Sequence, residues 1–277
     1  MNQKFLLGVA LCFTLFTASA QPIKTPAASS TQTIKQDFGL SSVELVYSRP
    51  NMKGRKIFGD LVPYGKVWRT GANSATRIKF MDDVTFGGQK LKAGEYAIYT
   101  VPNENEWEII INKGSANWGT DYKGEDDIMR VKVKPMKVMP ATETFTMQFA
   151  NIKANSADLV MRWDNVMINV PMTTDVESKV MAQINNVMTK DSRPYFQAAV
   201  YYLENGKDLN QALSWFDKAI EQNPKAYYMH YQKALAQAKL GKKSDAKITA
   251  MKSMDLAREA KNDDYVRLNE KLLAELK

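Results

Sequence analysis

The sequence predicts a β-rich antiparallel sandwich or barrel domain followed by an all-α helical-hairpin repeat domain. Three observations carry this reading. Between about Thr33 and Met172 the apolar residues recur with period two, in short runs divided by turn residues. At Thr174 the period lengthens to that of an amphipathic helix. Beyond residue 192 small residues recur thirty-four positions apart, the mark of stacked helical pairs.

The N-terminus precedes both domains and has a different character. One basic residue, Lys4, is followed by an apolar run from Phe5 to Phe16, then by Thr17, Ala18, Ser19 and Ala20. A charged start, a short apolar core and small residues at Ala18 and Ala20 make residues 1–20 a cleavable secretory signal peptide. The run is shorter than the roughly 20 apolar residues needed to span a bilayer. Lipid attachment needs a cysteine at the cleavage junction, but Cys12 lies inside the apolar core. The expected mature protein starts at Gln21 and is exported, periplasmic or secreted. Cleavage removes the chain's one cysteine, so the mature part has neither a disulfide nor a thiolate nucleophile. No later segment is apolar enough to predict a transmembrane span. The formal charge of +8 loses one unit with Lys4, and a modest positive balance in the envelope favours acidic partners over nucleic acid. Residues 21–32, rich in Pro, Ala, Ser and Thr, read as a flexible leader.

Within residues 33–172, Val43, Leu45 and Tyr47 alternate with polar neighbours, as do Trp107, Ile109 and Ile111. Val131 and Val133 alternate with Arg130, Lys132 and Lys134, and Phe145, Met147 and Phe149 with Thr146 and Gln148. Leu159, Met161 and Trp163 form one expected strand, and Val166, Ile168 and Val170 the next, with Asp164-Asn165 as a tight hairpin between them. Gly87-Gly88 marks another tight turn, and Pro102 to Glu106 a longer one.

Residues 173–191 read as a connecting helix opened by a capping box of Thr174 and Glu177. Ser192 and Pro194 open the next helix. Asp208 and Gln211 open a third, with Leu209, Ala212, Leu213, Phe216, Ala219 and Ile220 on one face. Ala246, Ala250 and Ser253 follow Ala212, Phe216 and Ala219 by thirty-four residues. Ala199 and Ala234 hold the close-packing position of each unit's first helix, Gly206 and Gly241 the turn, and Pro224 the end of the first unit. Small residues there let paired helices approach closely. Residues 192–277 thus resemble tetratricopeptide repeats, with Asp263 to Leu276 as a capping helix. The pattern departs at Ala250, where a bulky residue is expected, and the second unit lacks the closing proline.

Most catalytic machinery is missing from this composition. His230 is the one histidine and lies within a Tyr-rich repeat helix, where a surface or groove role fits better than catalysis or metal binding. One His and no mature Cys exclude a nitrogen- or sulfur-ligated zinc. Asp121, Glu125, Asp126 and Asp127 cluster without the spacing of a calcium loop and read as a solvated loop. No catalytic residue, metal site or cofactor is expected.

The unusual stretch is Arg49 to Arg77, which holds seven basic residues against one acid, Asp60, with Phe58, Tyr64 and Trp68 interleaved. Connections this long without secondary structure are functional or disordered, and the aromatics argue for order. Arginine offers a planar fork to carboxylate, phosphate or sulfate, and aromatic faces stack on sugars or guanidinium groups. Arg49, Arg55, Tyr64, Trp68, Arg69 and Asn73 are therefore the candidate ligand-binding residues, for an anionic or sugar-like ligand. The competing reading is a structural clamp, in which those arginines stack on the loop's own aromatics and pair with carboxylates.

The blocks SRPNMKGRKIFGDLVPYGKVWRTGAN, LKAGEYAIYTVP, WGTDY and IMRVKV, with Trp107, resemble a bacterial domain-of-unknown-function family numbered 2911, over about Lys35 to Met172. The resemblance implies an exported β-sandwich-like domain, sometimes followed by helical repeats, with no established activity. Ser74 stands where that family often carries Glu, so any acid–base role of that carboxylate is lost here. The expected function is a ligand-binding or assembly module of the envelope whose repeats offer a surface to a protein or peptide partner. The alternative is an enzyme acting on envelope sugars or related anions. An enzyme needs an acid–base group facing the Arg and Trp cluster, and a binder needs none.

Overall fold

The computed structural model describes residues 25–115, 121–188 and 193–276. The expected signal peptide, Trp118 and Ser192, expected to open a helix, lie outside the described residues. The chain divides into two compact units, one through Thr174 and one from Asp175.

The first unit is a sandwich of two antiparallel sheets. Its strands are β1 (Ser30–Phe38), β2 (Ser41–Arg49), β3 (Thr76–Phe80), β4 (Val84–Phe86) and β5 (Gln89–Leu91), then β6 (Gly94–Val101), β7 (Trp107–Asn112), β8 (Asp127–Val133), β9 (Met136–Ala150) and β10 (Ser156–Thr174). One sheet has the order β1-β2-β3-β6-β7-β8 and the other β5-β4-β10-β9. The predicted alternation is the reason. Val43, Leu45, Tyr47, Trp107, Ile109, Ile111, Phe145, Met147, Leu159 and Met161 are all buried and join one core shared by both sheets. Tyr47 also pins the sheets together, its hydroxyl donating to the Met147 carbonyl at 3.0 Å and accepting from the Met147 N–H at 2.9 Å. The Gly87-Gly88 and Pro102–Glu106 turns fall where the sequence puts them, between β4 and β5 and between β6 and β7.

Three boundaries differ from the sequence reading. β1 begins at Ser30, inside the segment expected to be a flexible leader, because Ser30 to Gln32 pair with Arg49 to Tyr47 of β2. Asp164-Asn165 is not a hairpin turn. β10 runs unbroken for 19 residues, and its register against β9 shifts between Arg162 and Asp164 and again between Asp164 and Val166. Asp164 does adopt the expected positive φ, 52°, but within a bulge. Thr174 is the last residue of β10 and donates through Oγ1 to the Asp83 carbonyl at 3.1 Å. The helix cap is instead Asp175, which accepts from the Ser178 N–H.

The second unit holds α1 (Val176–Val187), α2 (Tyr195–Glu204), α3 (Leu209–Gln222), α4 (Tyr227–Lys239), α5 (Lys243–Glu259) and α6 (Asp263–Glu275). Asp208 caps α3 through the N–H groups of Asn210 and Gln211. Ala199, Ala212, Ala234, Ala246, Ala250 and Ser253 are fully buried where helices meet. The Asn269 amide, buried on α6, donates to Ser253 Oγ at 2.9 Å, and Ser253 donates to the Tyr227 carbonyl at 2.8 Å. This polar pin joins α4, α5 and α6. None of the described helices is long and apolar enough to cross a membrane.

Candidate functional site

The Arg49–Arg77 segment is an ordered plug at one end of the sandwich. Ile57, Phe58 and Val62 point into the shared core. The main chain is tied down at both sides. Asn51 bridges to Thr144 of β9, and Trp68 exchanges two backbone hydrogen bonds with Thr100 of β6, at 2.7 and 2.9 Å. Gly71 is required where the plug leaves the sheet, because it has φ +144° and a Cβ there would lie 2.8 Å from the Ser48 carbonyl.

Five aromatic rings meet where the plug faces the core, Phe58 and Trp68 from the plug and Trp107, Phe145 and Trp163 from β7, β9 and β10. Trp68 stacks on Trp163 with centroids 5.8 Å apart and planes at 18°. It also meets Phe145 edge-on at 5.1 Å, and Phe58 meets Trp107 at 4.9 Å. The indole N–H groups are spent on carbonyls, Trp68 on Gly71 and Trp163 on Glu143, both at 3.1 Å.

Two clefts open beside these rings. The smaller, about 360 Å³, is lined by Lys53, Arg55, Trp68, Arg69 and Trp163, together with main chain around Asn51 and Gly71. The larger, about 560 Å³, is lined by Lys56, Phe58, Tyr64, the Asn103–Trp107 loop, Pro135 to Lys137 and Asp164 to Val166. No residue lines both. Each volume suits a small molecule.

The six predicted site residues therefore separate. Arg55, Trp68 and Arg69 line the smaller cleft, and Tyr64 lines the larger one. Burial and the nearby Glu104 charge push the Tyr64 phenol up from its ordinary range. Arg49 lines neither cleft. Its Nε donates to the Phe145 carbonyl at 3.2 Å and its Nη2 to Thr146 Oγ1 at 2.9 Å, tying β2 to β9 through a carbonyl and a hydroxyl rather than through the aromatics and carboxylates of the clamp reading. Asn73 is likewise structural and donates to the Ser29 carbonyl and to Ser48 Oγ, both at 3.3 Å. Arg55 spends Nε and Nη2 on the carbonyls of Met52 and Asn51, which fixes its guanidinium at the cleft rim. Arg69 makes no side-chain hydrogen bond or ion pair among the described residues.

Sequence reasoning missed Lys53 and Trp163 in the smaller cleft, and the Asn103–Trp107 loop and Asp164-Asn165 in the larger. Their aromatic and amide types were visible, but only β6–β7 and β9–β10 pairing brings them to this end of the sandwich. Elsewhere, His230 on α4 puts Nε2 3.0 Å from the Pro224 carbonyl, and burial holds its pKa below the ordinary imidazole value. Of the acidic cluster, Asp127 is engaged by Tyr122 and Arg130. No group of three or more His, Cys or acidic side chains among the described residues is arranged to hold a metal ion.

A two-sheet antiparallel sandwich closed at one end by an aromatic plug defines the class of domain. The chain belongs to the family described as protein of unknown function, DUF2911, which matches residues 29–172. That match begins before Lys35 and takes in all of β1. No curated protein and no solved structure matches the chain.

Proposed function

We propose that this chain is an exported binding protein whose sandwich holds a small anion in the 360 Å³ cleft. One observation carries the proposal. The lining brings together three cationic side chains, Lys53, Arg55 and Arg69, with no carboxylate among its described residues, and Arg69 is uncommitted. A cationic fork beside two tryptophan rings suits a phosphate, sulfate or carboxylate group on a compact body. With no carboxylate, histidine or thiol lining this cleft among the described residues, the arrangement favours binding over catalysis.

Inorganic pyrophosphate and sulfate are suitable probes. In the full chain pyrophosphate should raise the thermal midpoint of the sandwich transition, less so as salt rises, and Arg69→Ala should abolish the gain. An equal shift in Arg69→Ala, or none in wild type, rejects the anion site.

Export rests on the Lys4, Phe5–Phe16 and Ala18/Ala20 pattern. Protein recovered from the envelope or medium should have an intact mass that begins at Gln21 and carries no acyl chain; retention of residues 1–20 rejects it. The helical unit, whose buried alanines follow the tetratricopeptide-like spacing, serves in this reading as the docking surface for a protein or peptide partner. An apolar cleft of about 320 Å³ between α1 and α2, lined by Val180, Ile184, Val187, Ala198 and Tyr201, supports that role.

A further inference from the structure

The larger cleft differs in chemistry from the smaller one. Its charges balance, Lys56 and Lys137 against Glu104 and Asp164. A charged ligand gains nothing from such a lining, because each favourable contact is met by an opposed one. Its remaining polar side chains are the Tyr64 phenol and the carboxamides of Asn103, Asn105 and Asn165. Each carboxamide presents two donors and an acceptor in one plane. Among the described residues none of these three side chains, nor that of Asp164, makes a hydrogen bond within the protein. Phe58 and Trp107 are buried beneath, and Tyr64, 38 % exposed, stands at the side.

The backbone makes a matching departure. Asp164 sits in the left-handed region at φ 52°, which residues other than glycine adopt uncommonly. The double register shift around it turns the Asp164-Asn165 pair toward the cleft. Bulges re-aim side chains, and strained non-glycine residues concentrate at ligand sites.

We infer that the larger cleft is a second binding site, for a neutral saccharide. Uncommitted planar amides and carboxylates can engage the paired hydroxyls of a sugar ring. Tyr64 offers a face to the ring's apolar side. Charge balance excludes the anions that suit the other cleft. This site shares no lining residue with the anion cleft and does not depend on that reading.

The test is binding of the full-length mature chain to a printed panel of neutral and acidic oligosaccharides, followed by titration with the best neutral hit. Neutral glycans should be retained, with an affinity unchanged between about 50 and 500 mM salt, because no net charge is engaged. Asn105→Ala and Asn165→Ala, both exposed and without internal partners, should each weaken binding about tenfold, the worth of one hydrogen bond. Arg69→Ala should leave it intact, which separates failure of this site from failure of the anion site. Retention of acidic glycans only, or of none, overturns the assignment. Neutral binding that survives both asparagine substitutions overturns it equally.

Discussion

Arg49 and Arg69 lie in one basic stretch, yet the fold gives them opposite work. Arg49 leaves the end of β2 and meets the Phe145 carbonyl and Thr146 hydroxyl of β9. Its loss removes two hydrogen bonds to a charged donor and strands their acceptors. Arg49→Ala should therefore cost about 1.5–3 kcal/mol in chemical denaturation. Arg69 lines a cleft without a partner, so Arg69→Ala should cost about 1 kcal/mol or less. A loss at Arg69 as large as that at Arg49 rejects the division of roles. The sequence showed which residue types gather here, but not which way each points. Direction is set by the Trp68–Thr100 bridge, a pairing between residues far apart in the chain. Cleft-facing Arg55, Trp68 and Arg69 could be named beforehand, and structural Arg49 and Asn73 could not be told from them.

At the scale of elements, the phase of the apolar pattern carried more information than its turn residues. Leu159, Met161 and Trp163 point inward at odd positions, whereas Ile168, Val170 and Met172 do so at even ones. That slip of one residue has two solutions. A hairpin starts a new strand, and an irregularity within a continuous strand resets the phase. Here the extra residues lie on β9, since Arg162, Asp164 and Val166 pair with Thr146, Thr142 and Lys137. The Asp-Asn dipeptide suits either, because both need positive φ. The outcome is decided by β9, long enough at 15 residues to pair on both sides of the slip. The same limit applied at Thr174, where a good capping residue was claimed by the sheet and Asp175 took over the helix. If the bulge fixes the left-handed residue, Asp164→Gly should leave stability within about 1 kcal/mol, since relief of strain offsets the added chain entropy. Asp164→Val should be worse than Asp164→Gly by about 1–2 kcal/mol, because a β-branched residue resists that conformation. Equal stabilities for the two variants would falsify the bulge geometry.

For the whole molecule, the question is whether the sandwich needs the helices. The chain divides into two compact units between Thr174 and Asp175. Each unit has its own buried clusters. The sandwich core draws on both sheets through Val43, Ile109, Phe145 and Ile168, and the helical cores on Ala199, Phe216, Ala250 and Leu272. Among the described residues, each buried cluster is drawn from a single unit. A unit that owns its core can fold alone, and the sandwich is long enough to bury one. A chain of residues 21–174 should therefore stay soluble and unfold in a single cooperative transition, as should residues 175–277. Each isolated unit should have a stability in the range of about 5–15 kcal/mol usual for single domains. Residues 21–277 together should then show two transitions, with midpoints within a few degrees of the isolated units. Precipitation of residues 21–174, or one full-length transition well above both isolated midpoints, would show that the helices cover part of the sandwich. Pyrophosphate supplies an independent check on the same samples. It should stabilise residues 21–174 as much as it stabilises the whole chain and leave residues 175–277 unmoved, because every residue lining the anion cleft lies in the first unit.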